Sequence, residues 1–336
     1  MESEICYLLF FPYQQSAVLG STTTIPSPKD APYFFELGID VRESWGDRQF
    51  MAAETAVRIN KLQVLNDLVW VADCRYRLDS LDGEQAIVKK EAVQQSIQQR
   101  LRTELKIKGE LFEQFTILLK EKEDVTPDRF VDQHAVELVA FLRSLKRPIT
   151  EQDSADVLTA RVRYSTDELT LVDWSGAVII ADKGEFQSDI DLLKVGNFQL
   201  LRYRLIDHQV QEMLVQIRGE LSSRRKRWFR RSASRTIKEI VQKRLELLLD
   251  FEEIDQSLLM IGDWYSAQLY TLIFDRFSLA EWKGIIEGKL SSLESIHSAV
   301  EENLRFSWAR SIDFVVYWGW VVLLVAYFVD LYLAWR

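Results

Sequence analysis

Residues 168–181 read ELTLVDWSGAVIIA, and this stretch determines the fold that we predict for the first half of the chain. Two short apolar runs, Glu168–Val172 and Ala177–Ala181, flank Asp173–Gly176, where glycine supplies the geometry of a tight turn. The pattern predicts a β-hairpin. Val157–Tyr164, just before it, fits either a third strand or the end of a short helix.

Strand and helix patterns alternate upstream of this hairpin. Ile5–Tyr13 and Leu68–Tyr76 are rich in Val, Leu and aromatic residues, which is typical of buried strands. Helices with charged faces are predicted over Val88–Leu105 and near Gly109–Leu119, and the second of these can give way to a strand at Phe115–Leu119.

A further helix is predicted to begin at Thr126 and Pro127, because Thr is a good N-cap and Pro suits the first helical turn. Apolar residues then recur at spacings of four and three, at Val131, Ala135, Leu138, Leu142 and Leu145. The resulting β-α-β-β order predicts an α+β fold class, with an N-terminal mixed α/β domain over residues 1–185.

Strand patterns stop after Gly184, and the rest of the chain reads as helix. The predicted helices cover residues 189–217, 236–261, 263–277 and the stretch from 278 onward. In the last of them Leu279, Ile286, Leu293 and Val300 recur every seven residues. This spacing suits packing in an antiparallel helical bundle over residues 186–310, or an intermolecular coiled coil that would make a homo-oligomer.

The sequence then becomes strongly apolar, with the uncharged run FVVYWGWVVLLVAYFV between Asp313 and Asp330. Because this run has no polar face, it does not fit an amphipathic helix that is half exposed to water. We therefore predict one C-terminal transmembrane helix over residues 311–336 in a lipid bilayer. The anchoring side chains would be Phe314, Trp318, Trp320, Leu323, Leu324 and Phe328.

Charges around this run give the predicted orientation. Arg305 and Arg310 precede the run, and only Arg336 follows it. Positive residues are enriched on the cytoplasmic side of membrane helices, and no secretory signal is recognisable at the N-terminus. These features predict a single-pass, tail-anchored membrane protein with most of its chain in the cytoplasm.

A basic run is the most distinctive local motif in a chain whose net charge is −9. It consists of Arg224, Arg225, Lys226, Arg227, Trp228, Phe229, Arg230 and Arg231. Such a run can attract anionic lipid headgroups while its aromatic residues insert at the interface. It can also contact RNA phosphates, as on a ribosome, with the aromatic rings stacked on bases, or it can be a solvated turn.

Nothing in the sequence points to catalysis. Cys6 and Cys74 each lie in an apolar stretch and are predicted to be buried thiols. The three histidines share no metal-ligand spacing, and no phosphate-binding glycine loop, GxSxG elbow or HExxH motif is present. We predict no catalytic residues, no metal and no cofactor.

Several stretches from Phe115 onward resemble bacterial relatives of the required-for-meiotic-nuclear-division family. They are Glu168–Ala181, Asn197–Asp207, Gly262–Tyr270 and Glu281–Ile296, together with the final apolar run. The resemblance implies an α+β domain, a helical bundle and a C-terminal membrane helix. For the mitochondrial branch it also implies a role in tethering translation machinery to the membrane. The family has no accepted catalytic residues, and the basic run is not one of its features.

Together these features predict a non-catalytic, tail-anchored membrane scaffold or tethering protein for an unknown protein partner. An adaptor that contacts RNA or the ribosome through residues 224–231 is the alternative, and a membrane-bound enzyme without a recognisable motif is a further one.

Overall fold

The structure is a computed structural model that describes residues 3–13, 39–81, 83–122, 125–146, 151–222 and 264–335. Its strands form one eight-stranded sheet in the order β2-β3-β4-β1-β5-β8-β7-β6. The strands are β1 (Ser3–Pro12), β2 (Val41–Ala52), β3 (Thr55–Leu65), β4 (Val69–Leu78), β5 (Glu113–Glu121), β6 (Arg161–Val162), β7 (Leu169–Asp173) and β8 (Gly176–Ala181). Neighbouring strands are antiparallel except β5 and β8, which are parallel.

Helices lie on both faces of this sheet. The helices of the described residues are α1 (Gly83–Glu104), α2 (Pro127–Gln133), α3 (Ala135–Arg143), α4 (Glu151–Thr159), α5 (Gln187–Ser222), α6 (Trp264–Arg276) and α7 (Leu279–Ala334), of which α1–α4 pack on one face and the first part of α5 on the other. Successive side chains of a strand point to opposite faces, so the central strand β1 contributes to two layers. Ile5, Tyr7 and Leu9 share one core with apolar residues of α1–α4, whereas Cys6 faces α5 on the other side.

The described residues divide into two compact units. Those within Met1–Asp207 and Leu249–Gly284 form the first unit, which holds the whole sheet, α1–α4, α6 and most of α5. Those within His208–Leu248 and Ile285–Arg336 form the second. The sheet unit therefore extends beyond residue 185 and includes helices on its second face.

Most of the predicted secondary structure is confirmed. The predicted strands at 5–13 and 68–76 correspond to β1 and β4, and the hairpin corresponds to β7 and β8. The predicted helices at 88–105, 189–217 and 263–277 correspond to α1, α5 and α6, while the one at 236–261 lies outside the described residues. Residues 157–164 contain the end of α4 and the short strand β6, so both interpretations were partly right.

Two parts of the prediction differ from the structure. The helix near Gly109–Leu119 is wrong, whereas the alternative strand at Phe115–Leu119 is confirmed as part of β5, which pairs with both β1 and β8. The helix that begins at Pro127 is interrupted at His134 and resumes as α3. Thr126 precedes it in an extended conformation without a side-chain capping hydrogen bond.

The predicted membrane helix is also wrong. Over the residues that the structure describes, no helix is both long enough and apolar enough to cross a membrane. Asp313 and Asp330 limit the uncharged run to Phe314–Val329, whose sixteen residues rise about 24 Å as a helix, less than the roughly 30 Å of a hydrocarbon core. The run instead belongs to α7, which also contains the polar residues before it. The prediction of a single-pass, tail-anchored membrane protein is therefore wrong as well.

Candidate functional site

The basic run predicted to contact lipid or RNA, Arg224–Arg231, lies outside the described residues. The side chains predicted to anchor the chain lie on α7. Phe314 is part of this helix, and Trp318, Trp320, Leu323, Leu324 and Phe328 are all more than half exposed. They are therefore surface residues of the second unit.

Residues 316–328 of α7, which we name the apolar segment, form the most unusual surface of that unit. Ten large apolar side chains in the apolar segment have exposed fractions of 52% or more. They are Val316, Tyr317, Trp318, Trp320, Val322, Leu323, Leu324, Val325, Tyr327 and Phe328. Since each helical residue turns by about 100°, residues at these consecutive positions cover every side of the helix.

The first unit contains a group of charged side chains buried between β4 and α5. Asp73 has an exposed fraction of 1% and Lys194 one of 0%. Lys194 Nζ lies 3.5 Å from Asp73 Oδ2 and 3.4 Å from Asp191 Oδ1. Arg75 Nε donates to Asp73 Oδ1 at 3.3 Å, and the Asn60 amide donates to Oδ2 at 3.2 Å. We name these five residues the Asp73 cluster.

The charges in the Asp73 cluster stabilise one another. Burial alone would raise the pKa of the Asp73 carboxyl, but Lys194 and Arg75 outweigh this effect and hold the pKa at about 2. Burial likewise opposes the charge on Lys194, and the carboxylates of Asp191 and Asp73 raise its pKa. Two basic and two acidic side chains therefore face each other, and their formal charges sum to zero.

Both cysteines are buried and free, as the sequence predicts. The Cys6 thiol donates to Asp73 Oδ1 at 3.3 Å. Burial raises the pKa of Cys6, with Asp73 adding to the effect, and it raises the pKa of Cys74 in the same way. Since the thiolate is the reactive form, these side chains are poor nucleophiles.

A cleft opens beside the Asp73 cluster, at the end of the sheet where β4 ends and β1 and β3 begin. Its volume is about 340 Å³, and its lining includes Thr55, Arg58, Arg75, Arg77 and Glu4. A second cleft of about 330 Å³ shares Glu4 and Arg77 with the first, and its lining also includes Ser3, Lys120, Glu121 and Lys122. The first cleft brings arginines of β3 and β4 to one end of the sheet.

Asp189 is another buried carboxyl, and its hydrogen bonds join three elements. Tyr265 Oη of α6 donates to Asp189 Oδ2 of α5 at 2.7 Å, and the Thr170 hydroxyl of β7 donates to the same oxygen. Burial raises the pKa of Asp189, while these two hydrogen bonds lower it. Because Tyr265 and Thr170 both donate to Asp189, this carboxyl group links α6 to α5 and to strand β7.

In the described part of the chain, no three His, Cys, Asp or Glu side chains converge in a way that could hold a metal ion. The Asp73 cluster and both clefts were not predicted from the sequence. The available signal was one charged residue within an apolar element, as with Asp73 in VWVADC and Lys194 in DLLKV. Such a residue is rarely buried unless it has a partner.

Comparison with known proteins identifies relatives but no activity. Residues 54–187, less than half of the chain, match the family described as "Uncharacterized protein MJ0711, N-terminal domain". The chain is 24% identical over 178 residues to the uncharacterized protein MJ0711 of Methanocaldococcus jannaschii. This alignment covers 53% of the chain and 54% of the relative, so the chain spans about half the length of the curated relative that it matches. No solved structure matches.

The matched region begins at the β2–β3 turn and ends at the first residue of α5. It therefore contains β4 with Asp73 and Arg75, but it ends before Lys194. These comparisons do not test the resemblance to the required-for-meiotic-nuclear-division family, which stays a prediction.

Proposed function

We propose that this chain is a non-catalytic scaffold protein that assembles with further copies of itself through the apolar segment of α7. The observation that carries the proposal is the exposure of ten large apolar side chains in this segment. Homo-oligomer formation is one of the partner predictions made from the sequence.

The size of the apolar surface supports an interface. If each of the ten side chains exposes on the order of 100 Å², the segment presents about 1,000 Å² of apolar area, since aromatic residues alone bury 150–250 Å² when covered. The largest apolar patch of a typical monomer measures about 300–600 Å². A stable interface buries roughly 800 Å² per partner. The segment therefore exposes about as much apolar area as a stable interface covers.

The distribution of the apolar side chains favours several copies over one flat partner. A single surface covers one side of a helix, whereas the apolar segment is exposed on every side. A symmetric assembly brings identical helices together around one axis, and each helix then contacts more than one neighbour. Gly319 has open space where a Cβ would be, so a neighbouring helix can approach the backbone closely there.

The helical bundle predicted for residues 186–310 is part of this proposal. Val210 and Met213 of α5 and Ile286, Leu290 and Leu293 of α7 are buried, which supports a packed helical core in the second unit. The cytoplasmic location, the unknown protein partner and the contacts of Arg224–Arg231 with anionic lipid or with RNA on a ribosome stay predictions, because no described residue bears on them.

The proposal is tested by the mass of the full chain in detergent-free solution, measured by light scattering during size-exclusion chromatography. We expect a multiple of 39.3 kDa. The triple variant Trp320→Glu, Leu323→Glu, Phe328→Glu should have the mass of one copy, because three carboxylates cannot be buried together in an apolar interface. The matched control places the same three charges at other exposed apolar positions, Met51, Val215 and Trp264.

The control variant should keep the mass of the unmodified chain. A full chain with the mass of one copy would contradict the proposal. The proposal would also be contradicted by a chain that is monomeric in solution and binds to vesicles of neutral lipid. In that case lipid, and not a second copy, would cover the apolar segment.

A further inference from the structure

The edge of the sheet at β6 borders a groove, and the proposed function uses neither. Strand β6 is the last strand of the sheet, so it pairs on one side only, with β7. Between β6 and α6 lies a groove of about 480 Å³, which we name the β6 groove. Its lining includes Val162 of β6 and Trp264, Leu272 and Asp275 of α6. All of these residues belong to the first unit.

The backbone of Arg161 has hydrogen-bonding groups on the open side of this edge. Arg161 lies opposite Leu171, and the carbonyl oxygen of its neighbour Ala160 accepts a hydrogen bond from the backbone N–H of Val172 at 2.9 Å. In an antiparallel pair, consecutive residues direct their N–H and C=O groups alternately toward the partner strand and away from it. Those of Arg161 therefore point away from β7. Among the described residues, neither group has a hydrogen-bond partner.

The side chain of Arg161 lies on the face of this edge that is turned away from α6. Its Nη1 lies 3.3 Å from Asp128 Oδ1 and 3.1 Å from Asp132 Oδ1, both of α2. Val162 comes next in the strand, so its side chain points to the opposite face, toward α6. Charged side chains on an edge strand hinder pairing with another chain, but this charge is held on the α2 side. The face toward α6 is therefore open to apolar side chains.

The other edge of the sheet, β2, has features that oppose such pairing. Its sequence contains Arg42, Glu43, Asp47 and Arg48, and its pairing with β3 is irregular between Glu43 and Trp45. Charged residues and bulges are two ways in which proteins keep edge strands from pairing with other chains. Of the two edges, β6 is therefore the one that favours the addition of a strand.

The β6 groove supplies apolar contacts and one negative charge. The side chain of Trp264 is 68% exposed, and together with Leu272 it provides apolar surface beside the edge. Asp275 is exposed in the same lining and forms no ion pair with another described residue. The neighbouring Arg276 is already paired with Asp156 at 3.0 Å. The groove therefore favours a partner that carries a cationic side chain.

We propose that β6 binds an extended segment of another protein, which adds to the sheet as a further strand. The backbone of this segment exchanges hydrogen bonds with the N–H and C=O groups of Arg161. Alternate side chains of an extended segment point to one face, so its apolar residues lie against Trp264 and Leu272 in the β6 groove. A lysine or arginine on the same face pairs with Asp275. This proposal does not depend on self-association through the apolar segment.

The test uses the full chain and a synthetic eight-residue peptide that carries a fluorescent dye. The peptide has threonine at every second position and valine, valine, lysine and valine at the others, so that valine and lysine share one face when it is extended. We expect saturable binding, measured as a rise in fluorescence anisotropy. The same peptide with methyl groups on its backbone nitrogen atoms cannot donate hydrogen bonds to β6 and should not bind.

Two substitutions at one position separate the role of the β6 backbone from that of its side chain. Arg161→Pro removes the N–H on the open side of the edge and should weaken peptide binding by at least about 10-fold. Arg161→Gln is the matched control, because it removes the guanidinium group but keeps the N–H. This control should bind the peptide as tightly as the unmodified chain does.

Substitutions in the β6 groove test the proposal even if Arg161→Pro does not fold. Trp264→Ala changes an exposed side chain and should weaken peptide binding by about 10-fold or more. With Asp275→Lys, a peptide that has glutamate in place of lysine should bind more tightly than the original peptide.

The proposal is overturned if the peptide does not bind the unmodified chain, or if the methylated peptide binds equally well. It is also overturned if Arg161→Gln weakens binding as much as a folded Arg161→Pro does, or if Trp264→Ala leaves binding unchanged. The triple variant of the apolar segment should bind the peptide like the unmodified chain, because the apolar segment is not part of the β6 groove. Loss of binding in that variant would place the peptide on α7 and would overturn the proposal as well.

Discussion

At the scale of single residues, Lys90 of α1 places an ammonium group inside the apolar core. Its exposed fraction is 1%, its Nζ donates to the carbonyl oxygen of Phe141, and it lies 4.6 Å from the centre of the Phe141 ring. Burial lowers the pKa of Lys90 from 10.5 to about 8. The folded chain therefore binds this proton less tightly than the unfolded chain does.

Because of this lowered pKa, the free energy of unfolding depends on pH. Between pH 8 and 10.5 the unfolded chain keeps the proton that the folded chain loses, so the free energy of unfolding rises with pH in this window. From pH 7.5 to 9.5 we expect the unmodified chain to gain about 2 kcal/mol relative to Lys90→Met, at about 1.4 kcal/mol per pH unit. Urea unfolding of both proteins at the two pH values measures the difference. Parallel changes in the two proteins would contradict the prediction.

Asp73 gives a dependence of the same sign, but at low pH. Because its pKa is lowered from 3.8 to about 2, the stabilisation from its ionised form is present above pH 4 and is lost as pH falls toward 2. Asp73→Asn leaves Lys194 buried with only one carboxylate and should cost about 3–5 kcal/mol at pH 7. The control Glu104→Gln breaks an exposed pair with Arg100 and should cost less than about 1 kcal/mol. Equal losses in urea unfolding would show that the Asp73 cluster is not a strongly coupled group.

At the scale of elements, the packing of α5 against α6 depends on Gly196. A Cβ at this position would lie 2.3 Å from Ile273 Cγ2 and 3.2 Å from Phe277 Cε2, so the two helices are too close for any side chain there. Gly196→Ala should therefore destabilise the fold by about 1–3 kcal/mol through overpacking. Gly284→Ala is the matched control within a helix. Its Cβ would have open space, and alanine should stabilise α7 by up to about 1 kcal/mol.

Thermal unfolding of the two variants checks this prediction. Opposite shifts of the unfolding midpoint are expected, with Gly196→Ala lowered and Gly284→Ala raised or unchanged. If Gly196→Ala is as stable as the unmodified chain, then α5 and α6 can separate at no cost and the close approach does not stabilise the fold.

Helices and strands were predicted correctly where one sequence pattern continued through the whole element. The two short apolar runs of the hairpin, with the turn residues between them, and the recurring apolar residues of α5 each identify one structure. Strands β2 and β3 were missed, because a bulge between Ile59 and Lys61 changes the phase of the apolar alternation. Val57 and Ile59 precede this bulge, and Leu62 and Val64 follow it in the same core. A search for strict alternation fails across such an irregularity.

At the scale of the whole molecule, the Asp73 cluster depends on contacts between residues that are far apart in the chain. Local sequence patterns do not reveal such contacts. Asp73 and Lys194 meet because β4 lies in the sheet and α5 covers its second face, although 121 residues separate them in the chain. The apolar segment was recognised from composition alone, but composition does not reveal what covers it. The lack of a polar face favours a bilayer, whereas Asp313 and Asp330 leave an uncharged run too short to span one.

The proposed self-association makes apparent stability depend on protein concentration. If copies associate through the apolar segment when folded, mass action stabilises the folded state more strongly at higher concentration. The midpoint of thermal unfolding of the full chain should then rise as the chain is concentrated, provided that unfolding is reversible.

The triple variant Trp320→Glu, Leu323→Glu, Phe328→Glu should unfold at a midpoint that does not depend on concentration. The control with glutamate at Met51, Val215 and Trp264 should keep the dependence, because those positions lie outside the apolar segment. A midpoint that is constant for the unmodified chain would show that the exposed apolar surface of α7 is not covered by a second copy in the folded state.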